Sequence, residues 1–399
     1  MNPSQIVSLL RQAVGPRDQP VALHEPCFGG NEWDYTKDCL DCGYVSSVGK
    51  YVDLFEQKLA EYTGAGYAVA AVNGTAALHL CLKLAGVLPG DEVLVPALTF
   101  VATANAVCYC GAVPHFVDSN CESLGVDSTK LADYLKETAV IKDGVCYNRR
   151  TMRPVRALVA MHTFGHPADL EPLLEVCRAY RLELVEDAAE SLGSFYKGRH
   201  TGTFGKLASL SFNGNKIVTT GGGGAILTND AELARMAKHI SKTAKVPHPW
   251  AFVHNRVGYN YRMPNINAAL GCAQMEQLDR FLRAKRVLAQ SYRQLFDGVP
   301  GIVFFSEPSY AKSNYWLNTL ILDENSARLR DQILLETNNQ GIGTRPAWTL
   351  MSNLPIFKDC PHMPLPVAES LERRIINIPS SAVLGERLAE QRKEDGCET

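Results

Sequence analysis

The stretch Ser209-Leu-Ser-Phe-Asn-Gly-Asn-Lys-Ile-Val-Thr-Thr-Gly-Gly-Gly-Gly-Ala-Ile-Leu-Thr228 sets one lysine, Lys216, between two short apolar runs, with the tetraglycine Gly221–Gly224 before the second. Ser209–Phe212 and Ala225–Thr228 read as buried strands, and the polar and glycine residues between them as the connecting turn. The same rhythm runs back through the chain. Val69–Val72, Val93–Val95, Val113–Val117, Ala157–Met161 and Leu182–Val185 are apolar runs separated by helix-length amphipathic stretches. That alternation predicts an α/β fold with a mainly parallel central sheet flanked by helices. In such sheets ligands gather beyond the carboxyl ends of the strands, so the residues just after each run are the ones to search for chemistry.

Lys216 is open to two readings. Desolvated beside Ser211, Asn213 and Asn215, it shifts toward neutrality and can form a Schiff base. Exposed, it is an ordinary loop cation next to a flexible turn. The glycines are not a P-loop, because no G-x-x-x-x-G-K-[ST] occurs. After Val69–Val72 comes Asn73-Gly-Thr-Ala-Ala-Leu78, which is either a plain capped strand-helix turn or an anion cradle. In the second case Gly74 admits an anion to the free N–H groups of the helix start and Thr75 adds a hydroxyl. After Leu182–Val185 comes Glu186-Asp-Ala-Ala-Glu190, with acids at a strand end. An acidic first helical turn explains one of the three, whereas a carboxylate held there could keep a ring nitrogen protonated.

The 399 residues carry 40 Lys+Arg against 42 Asp+Glu, with 46% hydrophobic and 21% charged residues, the composition of a globular protein. A formal charge of −2 lacks the basic excess that nucleic acid demands, so small acidic ligands must be met by local donors. The 12 cysteines are scattered, and Met1-Asn2-Pro3-Ser4-Gln5 starts no signal peptide, which points to a reducing, cytoplasmic setting. Cys39 and Cys42 find no second pair at zinc spacing, Cys108 and Cys110 fare no better, and His162 and His166 straddle Phe164-Gly165, so no metal is expected. Val93–Val117 lacks a formal charge, but Pro96, Asn105, Gly111 and Pro114 break it into strand, helix and strand rather than a membrane span. Beyond Asn265 a long helix, Ile266 to about Phe296, is expected to bridge to a small α+β domain with a strand at Leu317–Leu322, a helix near Ala327–Gln340 and a loop at Met351–Pro366. The division is thus 1–265, an N-terminal arm and large domain, and 266–399. Trp250, Tyr259, Tyr261, Tyr315, Trp316 and Trp348 are read by default as core packing.

Taken together, Asn73–Leu78, Glu186–Glu190, Ser211–Lys216 with the tetraglycine, and Gly258-Tyr-Asn-Tyr-Arg-Met-Pro-Asn-Ile-Asn-Ala-Ala-Leu270 resemble the DegT-type sugar-nucleotide aminotransferases, pyridoxal 5′-phosphate enzymes of fold type I. The likeness spans roughly residues 24–350. It implies that Lys216 holds the cofactor as a Schiff base, that Asp187 pairs with the pyridinium nitrogen, and that Glu190 lies near the phenolic oxygen, a position where many relatives have Gln or His. It further implies that Gly74, Thr75 and Ser211 hold the phosphate, that Phe100 stacks on the ring, and that Asn260 reaches the phosphate of a neighbouring subunit in a homodimer with shared sites.

Gly30-Asn-Glu-Trp33, Tyr44–Asp53 and Thr344-Arg-Pro-Ala-Trp-Thr-Leu350 resemble one branch, the 4-aminotransferases of bacillosamine and legionaminic acid pathways. That likeness implies L-glutamate as amino donor and a UDP-linked 2-acetamido-2,6-dideoxy-hexos-4-ulose as acceptor. Perosamine synthases, acting on a GDP-linked 4-keto sugar, are close alternatives. A dehydratase is another, though relatives of that kind carry His where this chain has Lys216. Arg262, Lys245 and Arg345 are candidates for the nucleotide diphosphate, with surface solvation the competing account of each. Trp316 joins them as a substrate-facing candidate.

Overall fold

The computed structural model describes residues 2–15 and 19–394. Seven strands form the central sheet: β1 (Tyr67–Ala71), β2 (Glu92–Pro96), β3 (Val113–Val117), β4 (Val155–Met161), β5 (Glu183–Asp187), β6 (Leu207–Ser211) and β7 (Gly224–Thr228). Their order is β1-β7-β6-β5-β4-β2-β3. β7 runs antiparallel to both its neighbours, and every other adjacent pair is parallel. Strands covered on both faces need side chains that bury either way, which is why β2, β4 and β7 are apolar through Val93–Val95, Ala157–Met161 and Ala225–Leu227. The uncharged stretch after Val93 folds as β2, helix Val101–Tyr109 and β3, and no described helix is long and apolar enough to cross a membrane.

The expected continuous helix from Ile266 to Phe296 is two helices, Asn265–Met275 and Leu278–Phe296, broken at Glu276–Gln277. The break follows from what each half buries. Ala268, Ala269 and Cys272 pack with Tyr51 and Phe55 in one core, whereas Leu288, Tyr292 and Phe296 enter another. At the junction Glu276 accepts hydrogen bonds from Asn31 and Tyr35, at 2.9 and 3.0 Å.

The C-terminal unit is built on an antiparallel sheet of β8 (Ile302–Phe304), β9 (Asn318–Leu322), β10 (Arg345–Pro346) and β11 (Ile375–Ile378), ordered β8-β9-β11-β10. Helices Leu278–Phe296 and Ala382–Glu394 pack side by side; Gly385 lies so close to the Ala284 carbonyl that a side-chain carbon would overlap it. The N-terminal helix Pro3–Val14, grouped by sequence with the large unit, buries Ile6 and Leu10 in this C-terminal core beside Leu320 and Ile376. Its amphipathic stripe finds an apolar partner there.

Candidate active site

Strands β1, β4, β5 and β6 end along one edge of the sheet, and the site is assembled there. Behind β1, Asn73 caps the helix Gly74–Leu84 by accepting the Ala76 N–H at 2.7 Å. The helix start presents amide N–H groups that have no partner within the helix, together with the positive end of its dipole. A side-chain carbon on Gly74 would stand 2.8 Å from Ser211 Cβ, so glycine is what lets the turn sit against β6. Gly224 serves the same end from β7, since a Cβ there would lie 2.5 Å from the Asn73 carbonyl carbon.

Strand alternation separates the acids of β5. Glu186 turns into the protein, where Gly202, Phe204 and Gly205 N–H groups donate to it at 2.7–2.8 Å and His162 Nε2 lies at 3.1 Å. Burial alone would raise its pKa, but these donors hold it below the usual carboxylate range. Asp187 turns the other way, into the site, accepting from Thr103 Oγ1 at 2.8 Å and Ala189 N–H at 3.2 Å. Burial pushes its pKa up against those two neutral donors. Glu190 is also buried, accepts the Phe164 N–H at 2.9 Å, and has its pKa raised to about 7 by burial, with Lys216 pulling the other way.

Lys216 lies in a loop tied at its neck, where Phe212 N–H donates to Gly223 O at 2.8 Å and Thr220 N–H to Phe212 O at 3.0 Å. Its Nζ stands 3.4 Å from Glu190 Oε1 and 3.8 Å from the centre of the Trp316 ring. Trp316 is fixed in turn by its indole N–H, which donates to Asn215 O at 2.7 Å, and by Asn314 Oδ1, which accepts the Trp316 backbone N–H at the same distance.

One cavity of about 330 Å³ collects Gly74, Thr75, Phe100, Asp187, Glu190, Ser211, Lys216 and Trp316. Eight of the residues singled out from sequence thus converge. Arg345 lines a second cavity that shares Asn215, Trp316 and Trp348 with the first. Lys245 and Arg262 line a separate, open one with Lys242 and His248. Asn260 lines none of the three and accepts from Arg262 Nη2 at 3.3 Å. Arg262 follows Tyr261, whose carbonyl accepts the Val72 N–H, so it borders the Asn73 turn along the backbone.

The default of core packing fails for Trp250, which is 80% exposed; Trp316 is buried in the core and Trp348 packs against it, and both also line the cavity. Sequence reasoning passed over Thr103, one turn into the helix after Phe100, whose only signal was its position behind β2. His162 and His166 flank a single 3-10 turn, and no cluster of metal-ligating side chains occurs among the described residues.

A cofactor with an aldehyde, a basic ring nitrogen and a phosphate fits these groups. Asp187 is a buried acid whose partners are uncharged, which a protonated ring nitrogen would complement; the Gly74 turn offers amides to a phosphate; Lys216 supplies the amine. The constellation is that of a vitamin B6 enzyme on an α/β sheet.

The chain belongs to the DegT/DnrJ/EryC1/StrS aminotransferase family, whose model matches residues 26–391. It is a pyridoxal-phosphate-dependent sugar aminotransferase. It is 37% identical to a GDP-perosamine synthase of Caulobacter vibrioides over 371 residues, 92% of this chain and 94% of that protein. It is 35% identical over 337 residues to the putative pyridoxal phosphate-dependent aminotransferase EpsN of Bacillus subtilis, 84% of each chain. Among solved structures, the aminotransferase TlmJ of Streptoalloteichus hindustanus superposes with a TM-score of 0.81 at 26% identity, over 93% of this chain and 100% of the other. Helicobacter pylori PseC shares the fold, with a TM-score of 0.83 at 22% identity over 94% and 99% of the two chains.

Proposed function

We propose that the enzyme moves an amino group from L-glutamate to the C4 ketone of UDP-2-acetamido-2,6-dideoxy-hexos-4-ulose, giving a UDP-4-amino sugar for bacillosamine- or legionaminic-type glycans. The observation that carries amino transfer is the meeting of Lys216, Asp187 and Glu190 in one cavity beside the Gly74 turn. Bound pyridoxal phosphate supplies an electron sink. Asp187 holds a proton on the ring nitrogen. Gly74, Thr75 and Ser211 bind the phosphate, and Phe100 covers the ring. With the cofactor bound, Lys216 Nζ would take up and return the proton at the amino-bearing carbon, with Trp316 and Glu190 fixing its position.

The choice of a UDP-linked N-acetyl sugar rests on the likeness of Gly30–Trp33, Tyr44–Asp53 and Thr344–Leu350 to that branch. A second reading, amination of a GDP-linked 4-keto sugar, has the identity to the Caulobacter and Escherichia coli O157:H7 GDP-perosamine synthases in its favour, 37% and 35%. Arg345 is suited to an anionic part of a substrate at the second cavity.

We further propose a homodimer. Trp33, Val48, Trp250, Phe252 and Val257 expose apolar surface that a second copy would cover, and the same contact would let Asn260, Lys245 and Arg262 serve the partner's substrate. The eleven described cysteines are free thiols, which suits work in the cytoplasm. Mass spectrometry of products from UDP-, GDP- and dTDP-linked 4-keto sugars with glutamate tests the reading. A UDP-4-amino-N-acetyl sugar is expected; amination of the GDP sugar alone would replace the first reading by the second.

A further inference from the structure

Lys285, on the helix Leu278–Phe296, is the only lysine among the described residues with no exposed surface. Burial drives its pKa far below the ordinary value, and no carboxylate offsets that pull. Its Nζ donates instead to two main-chain carbonyls on separate segments, Trp316 O at 3.2 Å and Ser380 O. Burying an amine is costly, and these two bonds are what compensates it. Lys285 lines neither the first cavity nor the second, so it reaches the site only through those partners.

Of the two partners, Trp316 leads to the reacting amine. Its backbone N–H donates to Asn314 Oδ1 and its indole N–H to Asn215 O, both at 2.7 Å, and its ring centre stands 3.8 Å from Lys216 Nζ. Asn314 is bound in turn to the large unit, its Nδ2 donating to Glu190 O at 2.8 Å and Leu192 O at 2.9 Å. Between them Tyr315 has a φ of 48°, a left-handed conformation that a bulky aromatic residue adopts only where its surroundings impose it. The turn that aims the indole is therefore strained. Anchors on both sides keep it from relaxing: Asn314 before the strained residue, and Lys285 on the carbonyl after it. Arg286, the next residue on the helix, adds a bond to Ser313 O at 2.9 Å.

We infer that Lys285 is a positioning residue for amino transfer: by holding the Trp316 carbonyl against the strain at Tyr315, it keeps the indole face on the Lys216 amine. This rests on the proposed role of Lys216 in moving the proton and extends it to a residue outside both cavities. The ring face attracts a cationic nitrogen, so its placement sets both the aim of Nζ and how readily that nitrogen keeps a proton. An amine suits the task because its flexible stem lets one group reach carbonyls on two segments.

The test uses the native holoenzyme, Lys285→Met, Lys285→Gln, Trp316→Ala and the Lys285→Met/Trp316→Ala pair. Lys285→Met loses the donors, so the glutamate half-reaction, followed by absorbance, should slow about ten- to a hundredfold at saturating glutamate. The pH at which the absorbance of the lysine-bound cofactor titrates should fall by about one unit, because the indole no longer favours the cationic form. Asp187 and Glu190, the acids in the same cavity, are unchanged in every variant. Lys285→Gln restores N–H donors on a shorter stem and should recover part of both effects; it also stands in should the Met variant not fold. Once Trp316→Ala has removed the ring, Lys285→Met should slow the half-reaction no further. Thermal unfolding of each variant reads the structural contribution separately. Additive losses in the pair, or a lowered unfolding temperature with the titration midpoint and half-reaction unchanged, would overturn the role of Lys285 alone. A half-reaction indifferent to Lys216→Ala would instead overturn the proposed role of Lys216, and this inference with it.

Discussion

Glu190 Oε1 stands 3.4 Å from Lys216 Nζ while Glu190 Oε2 accepts the Phe164 N–H at 2.9 Å, so the acid beside the reactive amine is held from two sides within a buried pocket. The amine favours the charged form, yet burial outweighs it and lifts the Glu190 pKa from 4.5 to about 7. The folded protein therefore keeps a proton that the unfolded chain has already lost between those two values.

A pH dependence follows from the sign of that shift. In cofactor-free protein the retained proton contributes stability fully below pH 4.5, and this contribution is lost as pH rises through about 7. The whole effect is on the order of 3 kcal/mol. Glu190→Gln cannot titrate, so the difference in unfolding free energy between native and variant protein should fall across this window. Denaturant unfolding at pH 4.5 to 8 measures it, and a difference that stays flat would show that Glu190 is ionised throughout.

Neighbouring acids on β5 should behave oppositely. Asp187→Asn keeps the shape that Thr103 and Ala189 hold but removes the charge that a protonated ring nitrogen needs. Breaking a buried pair of this kind costs about 3–5 kcal/mol, or at least a hundredfold in cofactor affinity. Glu186→Gln leaves the cavity untouched and disturbs three backbone N–H bonds and His162, so it should lower stability by about 2 kcal/mol or more while cofactor affinity changes little. Cofactor titration alongside thermal unfolding separates the two. Similar affinity losses in both variants would refute the alternation argument.

Much of this site was legible because it sits where open parallel sheets put chemistry, just past strand ends. The runs at Val93–Val95 and Val113–Val117 mark their strands closely, and Lys216, Asp187 and Gly74 stand where their motifs locate them. What escaped depends on tertiary packing. Glu186 and Asp187 are both acids, and only strand alternation, once the strand's faces are known, sends one inward to His162 and the other into the cavity. The helical pattern from Ile266 onward carries no proline at Glu276–Gln277, because the break is imposed by two different cores rather than by local propensity. Trp316 and Trp348 look like any core aromatic until the C-terminal unit brings them over Lys216 and Phe100.

Close backbone approach gives a prediction for the glycine run. At Gly224 an added Cβ meets the Asn73 carbonyl carbon and oxygen at 2.5 Å and Gly74 N at 2.7 Å, all of them main-chain atoms. None can turn aside as a flexible side chain would. Gly224→Ala should cost about 1–3 kcal/mol of stability through overpacking and loosen phosphate binding at the Gly74 turn. At Gly222 nothing lies within 4 Å of the added carbon, so Gly222→Ala should be far milder. Thermal unfolding of the two variants side by side decides it; equal cost at both positions would contradict the packing.

Replacing Lys216 separates binding from chemistry. The amine sits over Trp316 at 3.8 Å in a loop tied by Phe212, Thr220 and Gly223, whereas the acid and the phosphate turn lie on other elements. Lys216→Ala should therefore still bind the cofactor through Asp187 and the Gly74 turn, yet lose the attachment that borohydride reduction makes permanent at this position. A positioned general base contributes about a hundred- to ten-thousandfold, so glutamate-dependent conversion of the cofactor to its amine form should drop by at least that lower figure. The vacated space beside Glu190 and Trp316 can admit a small primary amine, and added methylamine should restore part of the rate in proportion to its unprotonated fraction. Retained attachment, or a rate indifferent to both the substitution and the added amine, would mean that another residue carries the proton.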